Sequence, residues 1–370
     1  MSTALETNKN KERLSVPEHF AKQATACEAL GSPFTGRVCR LLPSLLSRKS
    51  AFGAKVLGWS AEEVRDPAAD ALALRAAGAF HALRRAGSAV LQEVYPPKSV
   101  DDAALKSALE AAIEAEDAFL TAWLESAPQT NEVSRSSALL GGALHIAEKT
   151  RLPLDIYEIG ASASLNLSFD RYAYELETPE GMHRRDGALP VTITSRWEGP
   201  LPPLGAPLKI GARRGCDLNP LPASDVKARE RLLSYIWPDQ TARLARIEAA
   251  LKATAEAGLE ADRADAAAWI AEYFSTPGES GRVRLLFHTI VWQYLPQKTK
   301  AEIEKIMKGA AEQTSNDAPL AWFSMEADAK DASSAALRLR LWPQGTDTEI
   351  GRADFHGRWV RWRDGTATND

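Results

Sequence analysis

Apolar side chains recur every three or four residues over the first 150 residues, which is the spacing of one helix face. The run "DALALRAAGAFHALRRAG" has this spacing and ends at Gly87, and "PEHFAKQATACEALG" begins with proline and ends with glycine, as helices commonly do. The run "SVDDAALKSALEAAIEAEDAFLTAWLESAP" is long enough for another amphipathic helix. We therefore predict an all-helical domain over residues 16–150, preceded by a mobile tail at residues 1–15.

From residue 151 the pattern changes to short apolar runs that alternate with helical ones. The strand-like runs are, in order, "LDIYEIGA", "ARRGCDLNP", "LEADRADA", "RVRLLFHT" and "PLAWFSMEA", followed by "AALRLRLWPQG" and "GRWVRW" as a terminal hairpin. Strands that alternate with helices predict an α/β fold with a mostly parallel, doubly wound sheet over residues 151–370, to which the hairpin adds an antiparallel edge. Residues 173–207 are predicted to form an irregular insertion.

The composition excludes several classes of protein. A formal charge of −4 over 370 residues gives no basic field for nucleic acid. No apolar run approaches the ~20 residues that cross a bilayer, and the polar N-terminus lacks the apolar core of a secretory signal. Cys27, Cys39 and Cys216 form neither a CxxC pair nor a zinc-binding spacing, so they are expected to be reduced thiols. We expect a cytoplasmic protein that binds no nucleic acid, no membrane and no metal.

The first predicted strand ends in "YEIGASASLN", where Glu158 precedes Gly160 by two positions. Ligands of open parallel sheets bind outside the carboxyl ends of the strands, where the strand order reverses. Glycine lets the backbone turn tightly, and the N–H groups at the start of a following helix then point at a ligand. A strand-to-helix turn with one glycine is also a common structural element, so this run alone leaves both interpretations open.

The next three strand ends carry polar groups in the order that a ligand site would need. Asp217, in "GCDLNP", is placed to accept hydrogen bonds from both hydroxyls of a ribose, and Asp265, in "RADA", to bond the amino edge of an adenine. His288, in "LLFHTIVWQYL", would face the reactive end of the ligand. Each has a structural alternative: a helix N-cap or loop acid for the aspartates, and a hydrogen-bonded strand end for the histidine.

A polar cluster in "QTNEVSRSSALL" precedes the first strand. Arg135 is a candidate for binding an acidic group, and Glu132 for a base or the anchor of an amine, with both side chains in a wall of the site. The alternative is a capped helix with solvated charges. Arg75 and His81 lie six residues apart, a poor spacing for one helix face, and structural burial is the favoured interpretation for them.

The chain from Leu154 onward resembles a class I S-adenosylmethionine-dependent methyltransferase domain. "YEIGASASLN" is similar to the first motif of that family, acid-x-Gly-x-Gly-x-Gly, with serines at its second and third glycine positions. "GCDLNP" is similar to the second motif, and "VRLLFHTIVWQYL" resembles the fourth-strand segment. The resemblance implies a Rossmann-like fold with a reversed seventh strand in the terminal hairpin, and S-adenosylmethionine as the cofactor.

Carried over position by position, the resemblance implies a cofactor site and a reaction site. Glu158 and Gly160 match the first motif, Asp217 the ribose acid, and Asp265 the adenine-side acid. The residues expected to bind the cofactor are Glu158, Gly160, Ala161, Ser162, Ser164, Asn166, Asp217 and Asp265. His288 matches the strand-end position near the transferred methyl group, and the candidate catalytic set is His288, Glu132 and Arg135.

A closer resemblance covers nearly the whole chain. Six separated runs look like those of the bacterial DUF2332 family, of uncharacterised function, and occur in the expected order: "LRAAGAFHAL", "QTNEVSR", "EIGASASLNLSFDRY", "CDLNP", "WPDQTARL" and "FHGRW". The typical loop of that family is close to "GASAGLNL", so Ser164 stands where glycine is usual. This resemblance implies a helical domain followed by a Rossmann-like domain, but it supplies no reaction and no substrate.

We expect an S-adenosylmethionine-dependent methyltransferase that acts on a small molecule or a protein side chain. The alternative is a non-catalytic ligand-binding or regulatory protein that retains the fold, which Ser162 and Ser164 favour. A nicotinamide-dependent oxidoreductase is disfavoured because the chain contains no GxGxxG run. The sequence indicates neither the acceptor nor the oligomeric state.

Overall fold

The computed structural model describes residues 14–59 and 66–363. Their contacts divide into two compact units. The helical unit comprises the described residues up to Thr130 together with Glu230–Ala245, and the sheet unit comprises Asn131–Arg229 and the described residues from Arg246 onward. The predicted mobile tail lies outside the described residues, except for Leu14 and Ser15.

The described part of the helical unit begins with helices that pack around an aromatic core. They are α1 (Val16–Ala29), α2 (Pro33–Leu41), α3 (Ala51–Gly58), α4 (Leu72–Arg85), α5 (Ala89–Gln92) and α6 (Asp102–Trp123). Ser15 begins α1 with a capping box, because its hydroxyl accepts the Glu18 N–H and its own N–H donates to the Glu18 carboxylate at 2.9 Å. Phe20, Phe52 and Phe80 are fully buried in the core. The predicted helical character of this part of the chain is confirmed.

Helix α7 (Ser136–Thr150) belongs to the sheet unit, so the boundary between the units does not coincide with the predicted domain boundary after residue 150. Two glycines allow α7 to lie close against the sheet. A Cβ at Gly141 would lie 2.9 Å from the Trp362 ring, and one at Gly142 would lie 2.7 Å from the Phe323 ring. A larger residue at either position would push the helix away from the strands.

One mixed sheet of eleven strands forms the centre of the sheet unit. The strands are β1 (Leu154–Ile159), β2 (Ala173–Thr178), β3 (Gly181–Arg185), β4 (Thr192–Glu198), β5 (Ile210–Asp217), β6 (Asp262–Arg263), β7 (Val283–Thr289), β8 (Leu320–Ala327), β9 (Ala335–Trp342), β10 (Thr346–Ala353) and β11 (Trp359–Trp362). The later helices are α8 (Val226–Ser234), α9 (Thr241–Glu256), α10 (Ala266–Phe274) and α11 (Gln297–Ala311). The protein is therefore of the predicted α/β class.

The strand order is β3-β2-β4-β11-β10-β9-β8-β7-β1-β5-β6. Within it, β6, β5, β1, β7 and β8 are parallel neighbours. The order reverses at β1, because β5 and β6 follow on one side and β7 and β8 on the other. The carboxyl ends of β5, β1 and β7 therefore meet at one edge of the sheet, which is where open parallel sheets bind ligands.

The prediction of an irregular insertion at 173–207 is wrong for most of that range. It contains β2, β3 and β4, which extend the same sheet, with β4 parallel to β11. Burial alternates residue by residue along β4, as expected for a strand with one face packed on the protein. Buried-type and polar residues alternate in "TITSRWE", and this alternation is the sequence signal for the strand. The prolines and glycines that follow the run obscured that signal.

The predicted terminal hairpin is also corrected. The run "AALRLRLWPQG" forms β9, but its hairpin partner is β10, and "GRWVRW" forms β11, which pairs antiparallel with β10. The sequence of β10, "TDTEIGRA", contains one large apolar residue, so it has too weak an apolar pattern to indicate a strand. The C-terminal strands are antiparallel, as predicted, but they number three among the described residues.

The segment after β1 is not the α-helix that the sequence suggested. Leu165–Arg171 forms 3₁₀ turns, and the chain then enters β2 directly. The predicted helix start that would have pointed its N–H groups at a ligand is therefore absent from this described segment. Within this segment, ligand contacts can therefore come only from the loop backbone and its side chains, and not from a helix N-terminus.

Candidate functional site

The loop after β1 has a left-handed backbone at alternate positions. The φ angles are +71° at Gly160, +51° at Ser162 and +62° at Ser164. These are the three positions at which the methyltransferase motif has glycine, so both serines adopt the conformation that glycine adopts easily. A left-handed conformation costs a residue with a side chain about 1–2 kcal/mol, which indicates that the surrounding structure imposes it.

Contacts with β5 and with Val291, which follows β7, fix this loop. The Ala161 N–H donates to the Cys216 carbonyl oxygen at 3.0 Å, and the Ser162 N–H donates to Asp217 Oδ2 at 2.9 Å. A Cβ at Gly160 would lie 2.5 Å from the Val291 side chain, in addition to the strain that its positive φ would cause. Glycine is thus required at position 160 by packing and by backbone conformation together.

Both serine hydroxyls of the loop are buried and lack a hydrogen-bond partner. Ser162 Oγ and Ser164 Oγ make no hydrogen bond within the part of the chain that the structure describes, and neither does Glu158 Oε2. A buried polar group without a partner costs about 1–3 kcal/mol. Three such groups beside one strained loop are the pattern expected of a site whose partners belong to a ligand.

Glu158, near the end of β1, has a raised pKa. Burial raises the pKa of the Glu158 carboxyl well above its usual range, and the charge of Asp217 raises it further, while Asn166 and Arg135 lower it. Asn166 Nδ2 donates to Glu158 Oε1 at 3.4 Å, and Asn166 Oδ1 accepts the Ser136 hydroxyl at 3.1 Å. A carboxyl in this environment retains its proton to higher pH and can then donate a hydrogen bond.

The structure brings Asp217 to the loop but gives Asp265 the N-cap role. Asp217 Oδ2 accepts the Ser162 N–H, and Oδ1 accepts the Asn219 N–H at 2.8 Å. Asp265 is exposed and caps α10, with its Oδ1 accepting the Ala267 N–H at 3.0 Å. Asp265 thus has the N-cap role of the structural alternative, and its adenine-side role stays a prediction, while Asp217 ends β5 as predicted and holds the loop.

The segment before α7 is buried, so the interpretation as solvated charges is wrong. The Glu132 carboxylate accepts the Ser134 N–H at 3.1 Å and begins a 3₁₀ turn at Val133–Arg135. Arg135 donates from Nε to the Phe355 carbonyl oxygen at 2.9 Å and from Nη1 to that of Thr289 at 3.4 Å. Arg135 thus binds backbone carbonyl groups at the end of β7 and in the turn after β10, and it adds positive charge near Glu158.

His288 lies on the face of the sheet opposite Glu158. Glu158 is aligned with Phe287 in the pairing of β1 and β7, and successive side chains of a strand point to opposite faces. The structure therefore does not unite His288 with Glu132 and Arg135 in one catalytic set. It instead places His288 near Glu326 of β8, with His288 Nδ1 and Glu326 Oε1 2.7 Å apart.

Sequence reasoning missed Glu326. It is an acid near the end of the mostly apolar run "PLAWFSMEA". It lies on the next strand, two residues beyond Ser324, the partner of His288, and this spacing sets it on the same face of the sheet as His288. A charged residue at the carboxyl end of a buried parallel strand was the available signal. The alignment of β7 with β8, which brings the two side chains together, was not available from the sequence.

A family model described as "Uncharacterized protein conserved in bacteria (DUF2332)" matches residues 17–362 of the chain. No curated protein and no solved structure matches it. Within residues 14–59 and 66–363, no helix combines the length and apolar character that a bilayer crossing needs. The same residues contain no group of three or more His, Cys, Asp or Glu side chains that could hold a metal ion.

Proposed function

The chain belongs to the DUF2332 family, and we propose that its sheet unit binds an adenosyl cofactor of the S-adenosylmethionine type and transfers its methyl group to an acceptor. One observation carries the proposal. Gly160, Ser162 and Ser164 all have left-handed φ angles at the end of β1, where the strand order reverses. This is the backbone path expected of acid-x-Gly-x-Gly-x-Gly, although two of its glycines are serines.

The residues present suit such a cofactor chemically. Ser162 Oγ, Ser164 Oγ and Glu158 Oε2 are buried and unsatisfied within the described residues, and a ligand with amino, carboxylate and hydroxyl groups supplies partners for them. Each Asp217 oxygen accepts one backbone N–H and keeps a second lone pair, which is available to a ribose hydroxyl. The proposed cofactor would therefore be held by the loop at 160–166 and by Asp217.

The cofactor would supply an electrophilic methyl group, and the protein would supply orientation and exclusion of water. Methyl transfer needs little covalent help from the enzyme, because alignment of the nucleophile with the methyl group provides much of the rate. Glu158, with its raised pKa, would act as a buried hydrogen-bond donor to the cofactor rather than as a base. The acceptor would bind at the same edge of the sheet, near the end of β7.

A non-catalytic ligand-binding protein is the second candidate, and one observation favours it. Both Asp217 oxygens already accept backbone N–H groups, and Asp265 Oδ1 caps a helix. The two carboxylates that would hold the nucleoside thus also have structural roles. This alternative and the methyltransferase share the binding step and differ in turnover.

Calorimetric titration with S-adenosylmethionine and S-adenosylhomocysteine tests the proposal. The wild-type protein should bind both. Asp217→Asn should weaken binding by about 1.5–3 kcal/mol, a loss of tenfold to about a hundredfold, because one charge-assisted hydrogen bond is lost. Asp265→Asn is the matched variant, since asparagine caps a helix as well as aspartate does and only the carboxylate charge at the adenine side is removed.

The two variants test the ribose role of Asp217 and the adenine-side role of Asp265 separately. No binding of either compound by the wild-type protein would contradict the proposal as a whole. Wild-type affinity in Asp217→Asn would contradict the ribose role of Asp217. The ribose would then have to be bound by other residues. A loss with Asp265→Asn while α10 keeps its helicity would support the adenine-side role of Asp265 despite its position as an N-cap.

A further inference from the structure

The two edges of the sheet differ in how well they are protected against pairing with another chain. At one end of the strand order, β6 consists of two charged residues, and a short, charged edge strand discourages pairing. At the other end, β3 (Gly181–Arg185) has five residues and pairs only with β2 among the described strands. The edge at β3 is therefore the longer and less protected of the two.

The backbone of β3 directs hydrogen-bonding groups away from β2 at alternate residues. Thr178 and Gly181 flank a two-residue turn, so they exchange hydrogen bonds with each other, and every second pair along the ladder does the same. Met182 and Arg184 lie between these pairs, so their N–H and C=O groups point to the open side of β3. These groups have no partner within the described residues. The edge can thus accept one more antiparallel strand.

Met182 gives this edge an apolar centre. Its side chain is 40% exposed, and no other large apolar side chain in the described strands is exposed to this extent. Arg184, two residues after Met182, points to the same face of the sheet, and Glu180 precedes Met182 at the same spacing. An apolar residue with an acidic residue on one side and a basic residue on the other is self-complementary under a two-fold rotation.

We propose that β3 pairs antiparallel with β3 of a second copy of this chain, with Met182 on the two-fold axis. Each Met182 then covers the other, and each Glu180 lies opposite Arg184 of the second copy. The pairing joins two eleven-stranded sheets into one continuous sheet. Each copy contributes only one five-residue strand, so the dimer is weak and its population depends on concentration. The proposal is independent of the proposed methyl transfer.

The charges select this register over the neighbouring ones. Centring the pair on His183 would place Glu180 opposite Asp186 of the second copy. Centring it on Arg184 would place two arginines opposite each other. Like charges directly opposite each other destabilise a pair of strands. Of these three registers, only the one centred on Met182 places opposite charges together and covers both exposed methionines.

Sedimentation velocity over a range of protein concentrations tests the dimer. The wild-type protein should shift from monomer to dimer as its concentration rises. Met182→Asp places two carboxylates face to face on the axis and should leave the protein monomeric. Val90→Asp is the matched control, because Val90 of α5 is 41% exposed but lies in the helical unit, and it should dimerise as wild type does. A wild-type protein that stays monomeric, or a dimer that Met182→Asp leaves intact, would overturn the proposal.

Charge reversal tests the register. Glu180→Arg and Arg184→Glu each place like charges opposite each other, and each should raise the Kd of the dimer about tenfold. The double variant restores opposite charges at exchanged positions and should recover the wild-type Kd. A double variant that stays as weak as the single ones would overturn the register.

Arg184→Glu also removes the ion pair with Glu175, which joins β3 to β2 at 3.1 Å. Hydrogen exchange of the His183 amide, which bonds to β2, therefore checks that the hairpin stays folded in each variant. Where that protection is lost, Glu180→Arg compared with Glu180→Gln tests the register alone. Equal Kd values for these two variants would contradict it.

Discussion

Two histidines of this protein are equally buried, with 2% of each exposed, and their surroundings are opposite in kind. His81 of α4 donates from Nδ1 to the Ser234 carbonyl oxygen at 3.2 Å and stacks on Tyr95. Burial, together with the charge of Arg85, lowers the pKa of His81 to about 4. His288 instead faces a carboxylate, and its Nε2 has no hydrogen-bond partner within the part of the chain that the structure describes.

The comparison shows what separates a structural buried histidine from a candidate functional one. The Ser234 carbonyl oxygen accepts a hydrogen bond from the neutral ring but carries no charge that would balance a protonated ring. His81 therefore has a structural role in the packing of its unit. The Glu326 carboxylate holds the ring of His288 in one orientation, so His288 remains a candidate for a functional role. Burial alone does not distinguish them, because it is the same in both.

The largest effect expected is the acid sensitivity caused by His81. Its pKa in the folded protein is about 4, below the ordinary 6.5, so the unfolded chain binds the proton more readily over that range. The free energy of unfolding should therefore fall as the pH drops from about 6.5 to about 4, by about 3 kcal/mol in all. Urea unfolding across this range, compared between wild type and His81→Gln, measures the difference.

His288→Gln is the control for that experiment, because it removes an equally buried histidine from the sheet unit. It should retain the acid sensitivity that His81→Gln loses. The same dependence of unfolding on pH in wild type and His81→Gln would show that His81 is not held neutral by burial, and the distinction between the two histidines would then fail.

Replacing the loop serines with glycine should separate stability from binding. Ser162→Gly and Ser164→Gly each relieve a left-handed φ, and each should raise the free energy of unfolding by about 1 kcal/mol. Each also removes a buried hydroxyl, and affinity for S-adenosylhomocysteine should fall about tenfold for a lost hydrogen bond. Thermal unfolding and calorimetry measure the two changes in the same variants.

Arg151→Gly is the matched control for the serines. Arg151 follows α7 with a φ of +56°, so glycine should relieve the same strain there without touching the loop. It should raise stability and leave affinity unchanged. If the serine variants gain stability and lose no affinity, the hydroxyls are not ligand contacts and the loop is strained for a structural reason.

The effect expected of Glu158→Gln is smallest at acid pH and grows as the pH rises. The pKa of Glu158 in the folded protein lies above its ordinary 4.5, so the folded state holds the proton more tightly than the unfolded chain. Stability is therefore lost as the pH rises from about 4.5 through the raised pKa. Glutamine cannot ionise, so the stability of the variant relative to wild type should rise with pH above about 4.5, measured by urea unfolding. A difference that stays constant from about pH 4.5 upward would contradict the raised pKa.

The sequence predicted which residues end the strands, but it did not predict which side chains of neighbouring strands lie together. Glu158, Asp217 and His288 all lie at the carboxyl ends of parallel strands, because apolar runs between turn residues are strong local signals. The pairing of His288 with Glu326 depends on the register of β7 against β8, and the separation of His288 from Glu158 depends on strand alternation. β10 was missed because most of its residues are polar and its place in the sheet comes from its two neighbours.

Amide hydrogen exchange with and without S-adenosylhomocysteine tests the central claim most directly, namely that the strained loop at 160–166 is a ligand site. The account predicts slower exchange at residues 161–166 and around Asp217 when the compound is present. The amides around His81 should be unchanged. Equal exchange in the loop with and without the compound, at a concentration that saturates binding, would contradict the account.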